Sequence, residues 1–178
     1  MFQDESHLMG GDIEGYVWGK TNQRVEVPVV NEREKQTYFG ALDLVEGKVV
    51  VQAHEKGNTE CQIAYLNFLM EHYEHKRLLI LWDGASYHRS HKLREFLSEL
   101  NDGLPESQWR IHCVRFAPNQ PKQNPIEDVW LQAKNWLRQY SAWFSSFRPM
   151  KQLFELFFTL DVFDFPKIHM YGSFSKIK

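Results

Sequence analysis

LLILWDGASYH, residues 78–88, joins an unbroken apolar run to an aspartate, a glycine and, five residues past the aspartate, a histidine. Five apolar residues in succession suit a strand covered on both faces, the condition of an inner strand flanked by parallel neighbours. The run stops at Asp83-Gly84, so Asp83 stands at the strand's C-terminal end. Open α/β sheets bind their ligands in the crevice beyond such ends. The plainer reading of Asp83 is a turn former, because Asp-Gly also favours tight turns.

Working outward, TYFGALDLVEGKVVVQAHE (37–55) is rich in β-branched and aromatic residues around Glu46-Gly47, which predicts an antiparallel pair over 37–45 and 48–54. GYVWG (15–19) and VEVPVV (25–30) add further strand-like composition, with Trp18 expected in the core. Thr59 followed by Gln62 reads as a capping box, and Ile63, Leu66, Leu69 or Met70, and Tyr73 then recur at helical spacing, predicting a helix over about 59–74. Ser90, Leu93, Phe96, Leu97 and Leu100 predict another, closed near Asn101-Asp102-Gly103, and WRIHCVRF (109–116) alternates as a strand. Ile126, Trp130, Ala133 and Leu137 mark one face of a further helix. The order implies an α/β chain: a mixed five-stranded sheet, an antiparallel meander continued by βαβ crossovers, flanked by helices.

At 178 residues the chain can bury a core without disulfides, and Cys61 and Cys113 have no metal-ligand spacing. Residues 1–145 read as one domain of ordinary size and 146–178 as a C-terminal helix, PMKQLFELFFTL (149–160), with an apolar tail. Leu153, Phe157 and Leu160 are expected to face that core or another subunit. Aromatic residues are 15% of the chain and crowd the last third, so that third must pack on something. No leader-like segment and no run of about 20 apolar residues is visible, so a cytoplasmic protein without a membrane span is expected. The formal net charge of -2 argues neither for nor against a nucleic-acid partner.

PNQPKQNPIEDVW (118–130) runs from a proline-rich stretch into the last of these helices. Asn124 suits the N-cap and Pro125 the first helical position, which puts Glu127 at the third. A carboxylate there favours the helix dipole by ~0.3–1 kcal/mol, which alone would account for it. Asp128, about 100° further round, is expected to face solvent. Lys134 and Arg138 share the face of Glu127, either as a solvated helix face or as a track along a phosphate backbone.

FQDES, GYVWG, a strand ending in WDGASYH, and NPIEDVW resemble, in that order, the catalytic domain of the DDE-type transposases of the mariner superfamily, in their bacterial insertion sequence 630 branch. The resemblance covers residues 2 to 140, and NPIE followed by Val-Trp is its most specific motif. It implies an RNase H-like fold and metal-dependent phosphoryl transfer on DNA. Asp4, Asp83 and Glu127 would be the catalytic, metal-binding carboxylates, holding two Mg²⁺ or Mn²⁺ ions. His88 matches the family histidine and would support the site or position DNA, its alternative being a helix cap or a surface residue; Lys134 and Arg138 would contact DNA.

Family members also carry a helix-turn-helix module ahead of this domain, which is not found in this sequence. The resemblance therefore implies an upstream frame, fused or in trans, along with transposon-end and target DNA, a homo-oligomer, and a place at the bacterial nucleoid. With three residues ahead of Asp4, the strand that carries it is expected to be clipped at its start. The extra length between Asp83 and Glu127 is assigned to the loop 101–108. Two other readings remain open: a different RNase H-like nuclease, and a non-catalytic remnant that binds DNA or another protein.

Overall fold

A computed structural model describes residues 1–13, 20–22, 33–117, 124–160 and 163. GYVWG with Trp18, VEVPVV, Pro118, Pro121 and nearly all of the tail past 160 lie outside the described residues. Strands β1 (Phe2–Met9), β2 (Lys35–Asp43), β3 (Lys48–His54), β4 (Leu78–Trp82) and β5 (Ile111–Arg115) form one sheet in the order β3-β2-β1-β4-β5. The β1–β2 and β2–β3 pairs are antiparallel, and β1–β4 and β4–β5 are parallel. Helices α1 (Thr59–His72) and α2 (His91–Leu100) cover one face, and α3 (Ile126–Gln139) and α4 (Phe147–Phe157) the other. This is the mixed, helix-flanked sheet that the order of elements predicts.

Side-chain alternation divides β2 between two cores. Tyr38 and Leu42 join Phe2, Leu8 and Trp130 under α3 and α4, while Phe39 and Ala41 join Tyr65, Leu69 and Ile80 under α1 and α2. With both faces covered, Thr37 to Asp43 are buried without a break. The β2–β3 turn closes through Gly47, whose φ of +68° suits glycine, and through Asp43, whose carboxylate accepts from the Val45 N–H at 2.8 Å.

Four expectations change. The cap of α1 is Asn58, whose side chain accepts from the Cys61 N–H at 2.9 Å; Gln62 is buried and donates to the Gln3 side chain on β1 at 3.3 Å, so no capping box forms. β4 is covered unevenly: Leu78, Ile80 and Trp82 are buried on one face, whereas on the other Leu81 is partly buried against the α3 core and Leu79 is 52% exposed, because α3 and α4 lie chiefly over β1 and β2. β1 is eight residues long, with Asp4 third, and pairs with β2 from Phe2 to Met9. Only its contact with β4 is short, a single register pair, Phe2 with Leu81.

The fourth concerns α4, which spans Phe147–Phe157 and buries Phe147, Met150, Phe154 and Phe157: Phe157 faces the core as expected and Leu153 packs partly buried against it, but Leu160 lies past the helix end and is 44% exposed. These rings complete the α3 core, where Phe154 lies 5.0 Å from Tyr38 and 5.1 Å from Phe158. Phe163 extends the cluster over Phe157 at 5.4 Å. Truncation of Phe154 to alanine is expected to cost about 3–5 kcal/mol in denaturant unfolding. A loss below about 1 kcal/mol would mean that α4 is an appendage rather than part of this core.

Candidate active site where two central strands part

The parallel pair Phe2–Leu81 fixes what lies beyond it. Two residues further along each strand stand Asp4 and Asp83, level with each other where β1 and β4 no longer pair. Asp4 belongs to the face under α3, since Phe2 and Leu8, of the same parity, are packed there. Glu5, its neighbour, points to the opposite face.

Asp83 is half-exposed and held from two sides. Its Oδ1 accepts from the Ala85 N–H at 2.9 Å, the turn-forming bond that Asp-Gly predicts, and meets His88 Nδ1 at 3.0 Å. His88 is buried, stacked flat on Trp82 with centroids 4.4 Å apart, and its Nδ1 also lies 3.2 Å from the Asp83 carbonyl. The His88 hydrogen bond lowers the Asp83 pKa more than partial burial raises it, and the Ala85 N–H adds to the lowering. His88 is therefore neither a cap nor a surface residue; it orients the carboxylate that ends β4.

Asp4 is pushed the other way. Burial raises its pKa well above the usual carboxylate range, and the charges of Glu5, Asp83 and Glu127 raise it further. Its Oδ2 accepts a hydrogen bond from the indole N–H of Trp130 at 3.2 Å.

Glu127 is the second residue of α3, not the third, and the reason lies in Asn124. That side chain does not cap the helix. It is buried, and its Nδ2 donates to the carbonyl of Gln3 at 3.2 Å, one residue before Asp4. The start of α3 is thereby fastened to β1 beside the first carboxylate, while Ile126, Val129, Trp130, Ala133 and Leu137 bury the helix face behind it. Asp128 is partly buried rather than solvent-facing.

Lys134 and Arg138 do not join the carboxylates. Lys134 Nζ donates to the His7 carbonyl at 2.7 Å and pairs with Asp12 at 3.2 Å, and Arg138 Nε donates to the Asp12 carbonyl at 3.1 Å. Both fasten α3 to the turn Gly10–Ile13 that follows β1, so they are not a freely solvated helix face. A groove of about 450 Å³ beside edge strand β3, lined by Tyr38, Val51, Phe68 and Phe158, contains none of the three acids.

Sequence reasoning missed Glu5. Its carboxylate faces Tyr87 and His88 beneath α1 and α2; burial raises its pKa, and the Tyr87 hydroxyl and His88 oppose that rise. Glu5 Oε2, Tyr87 Oη and His88 Nε2 are buried without a well-formed hydrogen bond among the described residues. Adjacent acids on a strand must face opposite ways, which was the available signal.

Among the described residues no three His, Cys, Asp or Glu side chains are close enough to grip an ion together. The chemistry of the set nevertheless suits a hard divalent cation: the oxygens are carboxylate, and the charges of Asp83 and Glu127 already weigh on Asp4. Asp4 holds its proton to higher pH in the folded than in the unfolded chain. The stability from that neutral form is full below the unfolded pKa and is lost as pH rises through the folded one. Asp4→Asn keeps the position neutral, so in EDTA its melting temperature should exceed the parent's by least at about pH 4 and by most at about pH 8. A gap that narrows with rising pH would contradict this environment.

No curated protein matches the chain. Among solved structures it is similar to the catalytic domain of Mos1 mariner transposase, at 16% identity over 94% of this chain and 74% of that one, TM-score 0.60. It is also similar to Mos1 transposase in a paired-end complex with left transposon end, at 16% identity over 96% and 50%, TM-score 0.64. A third similarity is to a chain of the simian T-cell lymphotropic virus intasome in complex with PP2A regulatory subunit B56 gamma, at 12% identity over 99% and 55%, TM-score 0.61. This chain thus spans about half the length of the last two, 50% and 55%. At such identities the likeness is one of fold, the RNase H-like fold of transposase and integrase catalytic cores. The family described as DDE superfamily endonuclease matches residues 1–151, a span that takes in all three carboxylates and runs into α4, and this chain belongs to that family.

Proposed function

We propose that this chain is the catalytic domain of a transposase of the mariner superfamily, in its bacterial insertion sequence 630 branch, cleaving DNA strands by hydrolysis and joining them by transesterification. One observation supports the reading: Asp4 and Asp83 stand level where β1 and β4 part, and Asn124 fastens the first turn of α3, which bears Glu127, to β1 one residue before Asp4.

Asp4, Asp83 and Glu127 are the residues that would hold Mg²⁺ or Mn²⁺, two ions in this reading. When bound, such ions supply Lewis-acid activation of a water or 3′-hydroxyl and neutralise the leaving oxygen. The chain's own residues set the stage. His88 and the Ala85 N–H keep Asp83 ionised and aimed. Asn124 locks the helix turn bearing Glu127 against β1. No cysteine competes as a nucleophile at this site, and burial pushes the Cys113 thiol up to about 12.

Mos1 relatives are solved as a paired-end complex with left transposon end and as a strand transfer complex. By analogy the substrates are transposon-end and target DNA, and the working form is a homo-oligomer at the bacterial nucleoid, in the cytoplasm. All four described helices are packed on the sheet, so recognition of the ends is assigned to an upstream helix-turn-helix frame, fused or in trans.

The test is nicking of supercoiled plasmid by the purified chain with Mn²⁺. Cleavage is expected from the parent and should fall below detection in Asp83→Asn and Glu127→Gln, with melting temperatures close to the parent's. Equal cleavage by parent and variants would place the chemistry elsewhere or in a contaminant. A loss of several kcal/mol of stability in Glu127→Gln would make Glu127 chiefly a structural residue.

A further inference from the structure

Trp130 lies one helical turn beyond Glu127, and three features hold its indole in place. Its N–H donates to Asp4 Oδ2 at 3.2 Å. The ring crosses β2 at Gly40, the register partner of Asp4, so closely that a Cβ there would lie 2.6 Å from both Cζ2 and Cη2. Phe158 meets it edge-on at 5.5 Å and Phe154 is stacked at 6.5 Å. With 5% of its surface exposed, the indole has little freedom to leave. An apolar ring of similar size would fill the same space, so packing accounts for its bulk but not for the direction of its one donor.

We infer that Trp130 is a positioning residue of the carboxylate site: its N–H fixes Oδ2 of Asp4 and thereby decides how Asp4 offers its remaining lone pairs to a divalent cation, with Gly40 supplying the clearance. A ring N–H bound to a ligating group sets that group's orientation and basicity, and loss of such a partner typically weakens metal binding by about 10–100-fold. Because Trp130 and Glu127 share α3, any shift of the helix moves the third carboxylate and the restraint on the first together. This inference rests on the metal-dependent reading above.

The experiment is Mn²⁺ titration calorimetry on the full chain, without DNA, using the parent, Trp130→Phe, Gly40→Ala and the double variant, with melting temperatures taken in EDTA. Trp130→Phe deletes the donor and keeps an aromatic ring, whereas Gly40→Ala keeps the donor and displaces it. Each is expected to weaken Mn²⁺ binding by about 10–100-fold. Once Trp130 is phenylalanine, Gly40→Ala should weaken Mn²⁺ binding no further, a non-additivity that independent packing defects would not produce. Should Trp130→Phe fail to fold, Gly40→Ala alone still tests displacement of the donor. Parent-like affinity in either folded single variant, or additive losses in the double, would overturn the positioning role and leave the function reading standing. Absence of saturable Mn²⁺ binding by the parent would sink both.

Discussion

Asp4 carries a carboxylate into the middle of a sheet, on a strand bonded to β2 along its whole length and to β4 for one pair only. Burying such a group is costly unless it is neutral, hydrogen-bonded or compensated by a cation. Much of the surrounding structure answers to that constraint. β1 and β4 part at this level, which opens the crevice. Trp130 gives the acid a donor, Gly40 gives Trp130 a path, and Asn124 ties the incoming helix to the backbone one residue away.

The first two carboxylates are then held in opposite states. Asp83, at the rim, is stabilised as an anion by a ring N–H and a backbone N–H, while Asp4, deeper and beside other charges, is driven toward its neutral form. Environments that push paired acids apart often mark functional sites. They also imply that a cation seated here would compete with a proton on Asp4, so occupancy should release protons and strengthen with pH.

How much of this was legible in the sequence depended on which physical rule governed each residue. Hydrophobic period showed β4, the β2–β3 pair and α3, because burial is written in the spacing of apolar residues. Strand and helix geometry located Asp83 and Glu127 at an edge and in a first turn. Partners across the sheet were not legible. Asn124 suits an N-cap, yet it bonds Gln3, and nothing in the spacing of Lys134 and Arg138 showed that they would bond Asp12 and its neighbours. A local propensity yields wherever a buried carbonyl or carboxylate needs a donor. The exposure of Leu79 escaped for a related reason: an apolar run does not say on which side the covering helices lie.

The aromatic crowding of the last third gains a role from the same constraint. Trp130, Phe154, Phe158 and Phe163 form one linked cluster, and Tyr38 joins it from β2. These rings back Trp130 with apolar groups, and low polarity around it both strengthens its bond to Asp4 and penalises a bare charge there. Polar packing there would weaken the Trp130 bond to Asp4 and lessen the penalty on its charge. The aromatic part of the chain, from Trp130 onward, holds none of the three carboxylates, yet it sets the electrostatic conditions around the first of them.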